Sequence, residues 1–133
     1  MPEGWKLRMA PLPGEQIGEV CWSTLTITLD PTEPEVVKRC TLVHEVVHVE
    51  RGPVLNEPAL AAREEMAVRR EAARRLISLD ALVETLRWTR DVDVAADDLS
   101  VDRGTLLDRV RWLTPEERAR LDQEFQDRCE EIA

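Results

Sequence analysis

Both histidines of the chain lie in one motif, His44-Glu45-Val46-Val47-His48. Histidines four residues apart project from the same side of a helix, one turn apart, so both imidazoles can reach one metal ion. The intervening Glu45 points about 100° away, which lets its carboxylate reach a zinc-activated water rather than the metal. The motif therefore predicts a helix that carries a zinc centre for hydrolysis, with His44 and His48 as ligands and Glu45 as general base.

A structural role for the two histidines is the main alternative. The predicted helix has apolar residues at Val36, Val37, Cys40, Val43 and Val47. A buried helix of this kind can hold a hydrogen-bonded histidine without any metal. The placement of both histidines around a glutamate, at metal-ligand spacing, is nevertheless hard to attribute to chance in 133 residues. We therefore favour the metal site.

A catalytic zinc normally has three protein ligands, and the third cannot be a histidine in this chain. The next predicted helix has an apolar stripe formed by Ala61, Val68, Ala72, Leu76 and Leu79. At 100° per residue Glu65 falls within this stripe, whereas Glu64 and Glu71 lie at its edge. If the two helices are antiparallel, Glu65 comes level with the histidines and Glu71 lies farther along. Phase and reach favour Glu65 as the third ligand, with Glu64 as the alternative.

The chain has three cysteines, Cys21, Cys40 and Cys129. Their odd number and wide spacing match neither a disulfide framework nor a zinc knuckle, so we expect reduced thiols. Cys40 lies one turn before His44 on the same helix face and could be considered as a ligand. We interpret it as a small buried apolar residue, because a helix seldom directs three successive turns at one ion.

A strand is predicted before the histidine helix. In residues 24–29 apolar Leu25, Ile27 and Leu29 alternate with three threonines, as in a half-exposed strand. Two arrangements are open for the residues before it: Cys21 and Trp22 extend this strand, or residues 19–22 form a short partner strand. Residues 1–18 hold three of the eight prolines and three of the five glycines, which predicts an irregular lead-in.

The rest of the chain is predicted to be helical. The expected helices cover residues 33–51, 56–77, 79–90, 92–98, 101–113 and 115 to the C-terminus. Their expected N-caps are Thr32 in a capping box with Glu35, then Asn56, Ser78, Ser100 and Thr114. Gly52-Pro53 is expected to end the first of these helices at Arg51.

The length of 133 residues predicts a single domain of the α+β class, mostly helical. We expect the lead-in at residues 1–18, a catalytic core at residues 19–82 and a C-terminal helical subdomain at residues 83–133. The core would consist of a short β-strand or hairpin, the histidine helix and the glutamate helix.

The charge balance limits the partners of this chain. It has 27 acidic and 18 basic residues, a net charge of −9 and a pI near 4.8. Such a surface repels phosphate backbones and anionic membranes, so we expect neither nucleic acid nor membrane as a direct partner. The sequence has no apolar run long enough to span a bilayer and no apolar core of a signal peptide, which predicts a cytoplasmic protein.

The segment 95–113 has the apolar spacing of a helix-turn-helix, which raises DNA binding as a different function. Its second helix is nearly neutral and therefore poorly suited to phosphate contacts. We interpret the segment as helical support beneath the catalytic helices. The arginines at positions 63, 69, 70, 74 and 75 are interpreted as a solvated helix face, with contact to an acidic protein as the alternative.

The order of strand, HExxH helix and glutamate helix resembles the ImmA/IrrE family of zinc metallopeptidases. The matching residues are 25–30, 39–48, and Glu65 followed by 72–77, and the likeness covers roughly residues 18–85. The resemblance implies a zincin-like core and one Zn²⁺ per chain, with His44, His48 and Glu65 as ligands and Glu45 as base. It also implies a protein substrate, a helix-turn-helix transcriptional repressor in a phage, mobile-element or stress-response circuit.

Several zincins steady the oxyanion with a tyrosine or a further histidine, and this chain has neither. That group must be an arginine, with Arg51 and Arg69 as candidates, a backbone N–H or the zinc itself. If residues 24–30 form a sheet edge beside the histidine helix, an extended substrate could pair with that strand.

A second class of function stays open at this point. A non-catalytic, zinc-stabilised binding module or antirepressor could keep the same metal site for folding. Glu45 favours the enzyme, because a structural site needs ligands and no base. The sequence leaves the oligomeric state open.

Overall fold

The computed structural model describes residues 1–132, with side chains described for residues 1–126. In residues 1–132 the strands are β1 (Lys6–Met9), β2 (Gly18–Cys21) and β3 (Thr26–Leu29). They are followed by helices α1 (Glu35–Arg51), α2 (Pro58–Leu76), α3 (Leu79–Trp88), α4 (Val92–Leu99), α5 (Arg103–Arg111) and α6 (Pro115–Ile132). The chain is therefore α+β and mostly helical, as predicted. None of the described helices combines the length and apolar content that a membrane span requires.

The strands form one sheet in the order β1-β3-β2. β3 is parallel to β1 and antiparallel to β2, which confirms the arrangement with a short partner strand at residues 19–22. The prediction that residues 1–18 form an irregular lead-in is wrong, because β1 lies there and β2 begins at Gly18. All four residues of β1 are exposed, so its sequence carries no buried alternation that could have revealed it.

β3 is the central strand, so the sheet edge that substrate pairing at residues 24–30 would require is not there. The prediction of a half-exposed strand is wrong. Ile27 and Leu29 pack against Val49 of α1, and Thr28, on the opposite face, is buried as well. The strand is also shorter than predicted. Leu25 has a positive φ of 52° and a largely exposed side chain, so the turn before β3 excludes it from the apolar face.

Three predicted helix caps are wrong, and at two of these helices a neighbouring polar side chain takes the role. Thr32 donates to Asp30 at 2.7 Å, and α1 begins at Glu35 without a side-chain cap. Glu57 replaces Asn56 at α2, where its carboxylate accepts hydrogen bonds from the first backbone N–H groups. At the fifth helix Asp102 replaces Ser100 as cap.

Other predicted boundaries are confirmed. Ser78 caps α3 through the N–H of Ala81 at 3.1 Å. α1 ends at Arg51, where Gly52 adopts a φ of 97° that favours glycine. Ser100, which was predicted to start the fifth helix, instead closes α4 in the left-handed conformation.

The hydrophobic core has its largest part among the C-terminal helices. Its buried members are Cys40, Ile77, Leu82, Val83, Ala95, Ala96, Val101, Leu106 and Leu121. The helix-turn-helix-like segment contributes Ala95, Ala96, Val101 and Leu106 to this core, while Leu107 is exposed. Cys21 and Cys40 are free thiols, Cys40 being buried as predicted, and the side chain of Cys129 lies outside the described residues.

Candidate metal centre

The helix α1 presents two histidines beside its contact with α2. Val43 and Val47 of α1 pack with Val68 and Ala72 of α2, so the middle of the apolar stripe predicted for α2 contacts α1. His44 and His48 lie one turn apart at the border of this contact, with their ring centroids 5.0 Å apart. Both side chains are partly exposed, which leaves their ring edges accessible.

Glu65 of α2 reaches both histidines. Its Oε1 lies 2.9 Å from His44 Nε2, and its Oε2 lies 2.9 Å from His48 Nε2. The donor atoms of the three residues all lie within 4.8 Å of one another. The structure thus brings together the three side chains that the sequence predicted as ligands. We call them the metal-centre cluster.

The alternative ligand Glu64 is engaged elsewhere. It forms a two-point ion pair with Arg51, with 3.2 Å between Arg51 Nη2 and Glu64 Oε2. Glu71 likewise pairs with Arg74 and Arg75. Both carboxylates are therefore paired with arginines, whereas Glu65 is paired with the two imidazoles.

The donor set fits a zinc ion. Zinc binds imidazole nitrogen and carboxylate oxygen at about 2.0–2.2 Å, which places tetrahedral donors about 3.4 Å apart. The metal-centre cluster needs little movement to reach that spacing, since its donors already lie within 4.8 Å. Two imidazoles and one carboxylate also match the ligand set of catalytic zinc sites that keep one position open.

The electrostatics of the metal-centre cluster favour a cation. Hydrogen bonds to His44 and His48 hold the pKa of Glu65 well below its ordinary value. The hydrogen bond to Glu65 in turn raises the pKa of His48, an effect that burial opposes. The carboxylate is therefore ionised at neutral pH, and a metal ion would replace the shared protons between the three groups.

Glu45 approaches β2 at Gly18. A Cβ atom added at Gly18 would lie 3.3 Å from Glu45 Oε1 and 2.5 Å from Thr41 Cγ2, so only glycine fits there without movement. Burial raises the pKa of Glu45, and the nearby His44 and His48 partly oppose that rise. A carboxylate with a raised pKa is a stronger proton acceptor than an exposed one.

Two clefts meet at Glu45. The larger, of about 420 Å³, is bordered by His44 and Glu45 of α1, residues 15–18, Arg69 of α2 and the N-terminal part of α5. The smaller, of about 190 Å³, is bordered by Val20, Trp22, Glu45, His48, Gly52 and Val54. Space for a bound molecule therefore extends to both sides of the predicted base.

The sequence did not decide between Arg51 and Arg69 as the oxyanion group, and it did not indicate the carboxylates with which they pair. Arg69 borders the larger cleft and donates from Nε and Nη2 to Asp108 at 3.1 and 2.7 Å. This hydrogen bonding raises the pKa of Arg69. Arg51 lies beside a different cleft, next to Glu64. Asp108 lies 39 residues from Arg69 in the sequence, so no local pattern could have indicated the pair.

No protein-family model matches the chain, and no curated protein or solved structure matches it either. The likeness to the ImmA/IrrE family therefore stays a prediction that rests on the residues quoted above. The interpretation of the site rests on its own geometry and chemistry.

Proposed function

We propose that this chain is a zinc-dependent endopeptidase that holds one Zn²⁺ through His44, His48 and Glu65 and uses Glu45 as general base. The observation that carries the proposal is the approach of Glu65 to both imidazoles at 2.9 Å, beside a half-buried carboxylate that the ligand set does not need. Bound zinc supplies a Lewis acid and lowers the pKa of a coordinated water towards neutrality.

Glu45 moves the proton in the proposed reaction. As the water oxygen bonds to the peptide carbonyl carbon, the π electrons of the carbonyl move to its oxygen and Glu45 takes a proton from the water. Glu45 then gives this proton to the leaving nitrogen while the C–N bond breaks and the oxyanion re-forms the carbonyl, which releases a carboxylic acid and an amine. The raised pKa of Glu45 suits both transfers, since it lies nearer to neutrality than that of an exposed glutamate.

An extended protein segment fits the space around Glu45. The two clefts lie on either side of this residue, as a peptide that crosses the scissile bond would require. β2 is an edge strand of the sheet and contacts α1 at Gly18. Its outer backbone groups can pair with an extended substrate, so the role expected for residues 24–30 moves to β2.

The substrate class follows from the resemblance. We propose a helix-turn-helix transcriptional repressor as the substrate and the cytoplasm as the compartment, on a zincin-like core. The net charge of −9 supports this choice, because repressors that bind DNA carry basic surfaces and opposite charges speed encounter.

The test compares wild type with Glu45→Gln and with Glu50→Gln. Glu50 lies on the same helix and pairs with Arg75 at 2.6 Å, outside the metal-centre cluster, so it is a matched control. Each protein is analysed for zinc and incubated with a proteome-derived peptide library and with purified helix-turn-helix repressors. Mass spectrometry identifies the cleaved bonds.

We expect about one zinc per chain in all three proteins, and cleavage by wild type and Glu50→Gln. Cleavage falls about 10³-fold in Glu45→Gln, which is within the range for loss of a general base. If Glu45→Gln still inactivates a repressor as well as wild type does, the chain is a zinc-stabilised antirepressor and the peptidase proposal is wrong.

A further inference from the structure

Arg69 borders the larger cleft together with Glu45. It lies one turn after Glu65 on α2, and His44 borders the same cleft. Among the described residues that border this cleft it is the one arginine or lysine. The other arginine considered from sequence, Arg51, is paired with Glu64 at a different cleft.

The Arg69 guanidinium is held in place on two sides. Nε and Nη2 donate to the carboxylate of Asp108, whose side chain is 12% exposed. The guanidinium carbon lies 5.7 Å from the centre of the Trp112 ring, within the range of a cation–π contact. Two contacts of this kind fix the side chain before any ligand arrives, so binding costs little rotamer entropy.

One edge of the guanidinium stays available. Arginine carries five N–H donors, and Asp108 engages the edge formed by Nε and Nη2. Among the described residues Nη1 has no hydrogen-bond acceptor, so its two N–H groups are free to bind a molecule in the cleft. An arginine that only joined α2 to α5 through an ion pair would not need to border the cleft that His44 and Glu45 share.

We infer that Arg69 is a catalytic residue that binds the carbonyl oxygen of the scissile peptide as this oxygen gains negative charge. The inference rests on the proposed peptidase function and supplies an oxyanion group in place of the tyrosine or further histidine, neither of which the chain has. Donors fixed in advance stabilise developing charge most strongly. Asp108 acts through Arg69 as its positioning residue.

The inference is tested with two dipeptide ligands that carry the same side chains but different zinc-binding groups. In one a tetrahedral phosphonate replaces the scissile peptide and presents an anionic oxygen at the oxyanion position. In the other a thiol binds the zinc and presents no oxygen there. Both affinities are measured for zinc-loaded wild type, Arg69→Gln, Asp108→Asn and Arg70→Gln, together with zinc content. Arg70 neighbours Arg69 and does not border the larger cleft, so Arg70→Gln is the matched control.

We expect phosphonate affinity to fall about 100-fold in Arg69→Gln, in line with the loss of one oxyanion donor. Thiol affinity and zinc content stay at the wild-type level. Asp108→Asn shows a smaller loss in the same direction, specific to the phosphonate, and Arg70→Gln shows none. A purely structural role would lower both affinities together or neither.

Equal losses of phosphonate and thiol affinity in Arg69→Gln, or no loss of either, would overturn the inference. If Arg69→Gln does not fold, the double variant Arg69→Gln/Asp108→Asn repeats the comparison, because it leaves no charged partner unpaired. A wild-type protein that binds neither zinc nor the thiol dipeptide would overturn the proposed function itself. A zinc-binding, peptide-cleaving wild type with an unaffected Arg69→Gln would overturn the Arg69 role alone.

Discussion

Two of the polar clusters that join separate helices in the described part of the chain differ in burial and in how completely their hydrogen bonds are made within the chain. The metal-centre cluster is His44, His48 and Glu65. The arginine cluster is Arg109, Glu117 and the backbone carbonyl of Ile77. Arg109 is 4% exposed, donates to the carbonyl at 2.8 Å and pairs with the carboxylate at 2.5 Å. In the metal-centre cluster a single carboxylate serves two partly exposed imidazoles.

The arginine cluster therefore has the properties of a cluster that stabilises a fold, and the metal-centre cluster has those of one that can bind a ligand. The arginine cluster completes its hydrogen bonds within the chain, which is the condition for a buried charge to be tolerated. The metal-centre cluster leaves accessible donors beside Glu45, a half-buried carboxylate with a raised pKa. A carboxylate that is partly buried with a raised pKa, and that neither the fold nor the ligand set requires, is more typical of a reacting group than of a structural group.

The largest expected effect is loss of zinc from the metal-centre cluster. Glu65→Gln should weaken zinc affinity by more than about 100-fold, since even outer partners of zinc ligands are worth about 10- to 100-fold. The matched variant Glu64→Gln removes a carboxylate one residue away that pairs with Arg51 instead. Competition with a chelating dye measures both affinities. If Glu64→Gln releases zinc and Glu65→Gln does not, the assignment of the ligand is wrong.

The second effect concerns the arginine cluster. Arg109→Met should lower the free energy of unfolding by about 3–4 kcal/mol, because it leaves a carboxylate and a carbonyl without their buried partner. Zinc affinity should not change. The control is Arg103→Met, which breaks an exposed pair with Asp93 and should cost less than about 1 kcal/mol. Urea unfolding measures both. Equal losses of unfolding free energy in the two variants would mean that the buried arginine cluster stabilises the fold no more than the exposed pair does.

The third effect is a pH dependence that the arginine cluster should show. Hydrogen bonds from Arg109 lower the pKa of Glu117 to about 2, from an ordinary value of 4.5. The folded pKa lies below the unfolded one, so the stabilisation is present above about pH 4.5 and is lost as the pH falls towards 2. This stabilisation contributes about 2 kcal/mol to the free energy of unfolding, less than the full pKa difference would give because Glu117 is partly exposed. The stability difference between wild type and Glu117→Gln should therefore shrink from pH 6 to pH 2.5. A constant difference would contradict the proton linkage.

Features that depend on the geometry of a single helix could be predicted from the sequence, and features that depend on residues far apart in the chain could not. The spacing of His44 and His48 and the phase of Glu65 follow from the geometry of single helices, and the structure places these side chains together. β1 was missed because its partner β3 lies 20 residues later and its own side chains are exposed. The Arg69–Asp108 pair was missed for the same reason of distance along the chain.

Helix starts were harder to predict than helix interiors. At α2 and α5 two polar residues, one or two positions apart, can each cap the helix. The backbone turn decides between them, and it selected Glu57 over Asn56 and Asp102 over Ser100. Periodicity carries no information about that turn. At α6 the predicted cap Thr114 accepts from the N–H of Glu117, and the carboxylate of Glu117 accepts from the N–H of Thr114 in return.

The smallest effect tests whether stability and metal binding can be separated at α2. At α6 one residue, Glu117, both caps the helix and completes the arginine cluster. At α2 these roles are divided, because Glu57 caps the helix and Glu65, two turns later, belongs to the metal-centre cluster. Glu57→Ala should therefore lower the free energy of unfolding by about 1 kcal/mol and leave zinc affinity unchanged. Asn56→Ala, the cap expected from sequence, should change neither quantity in urea unfolding and zinc titration. A parallel loss of zinc affinity in Glu57→Ala would show that the first turn of α2 holds Glu65 in place, and the contrast between the two clusters would disappear.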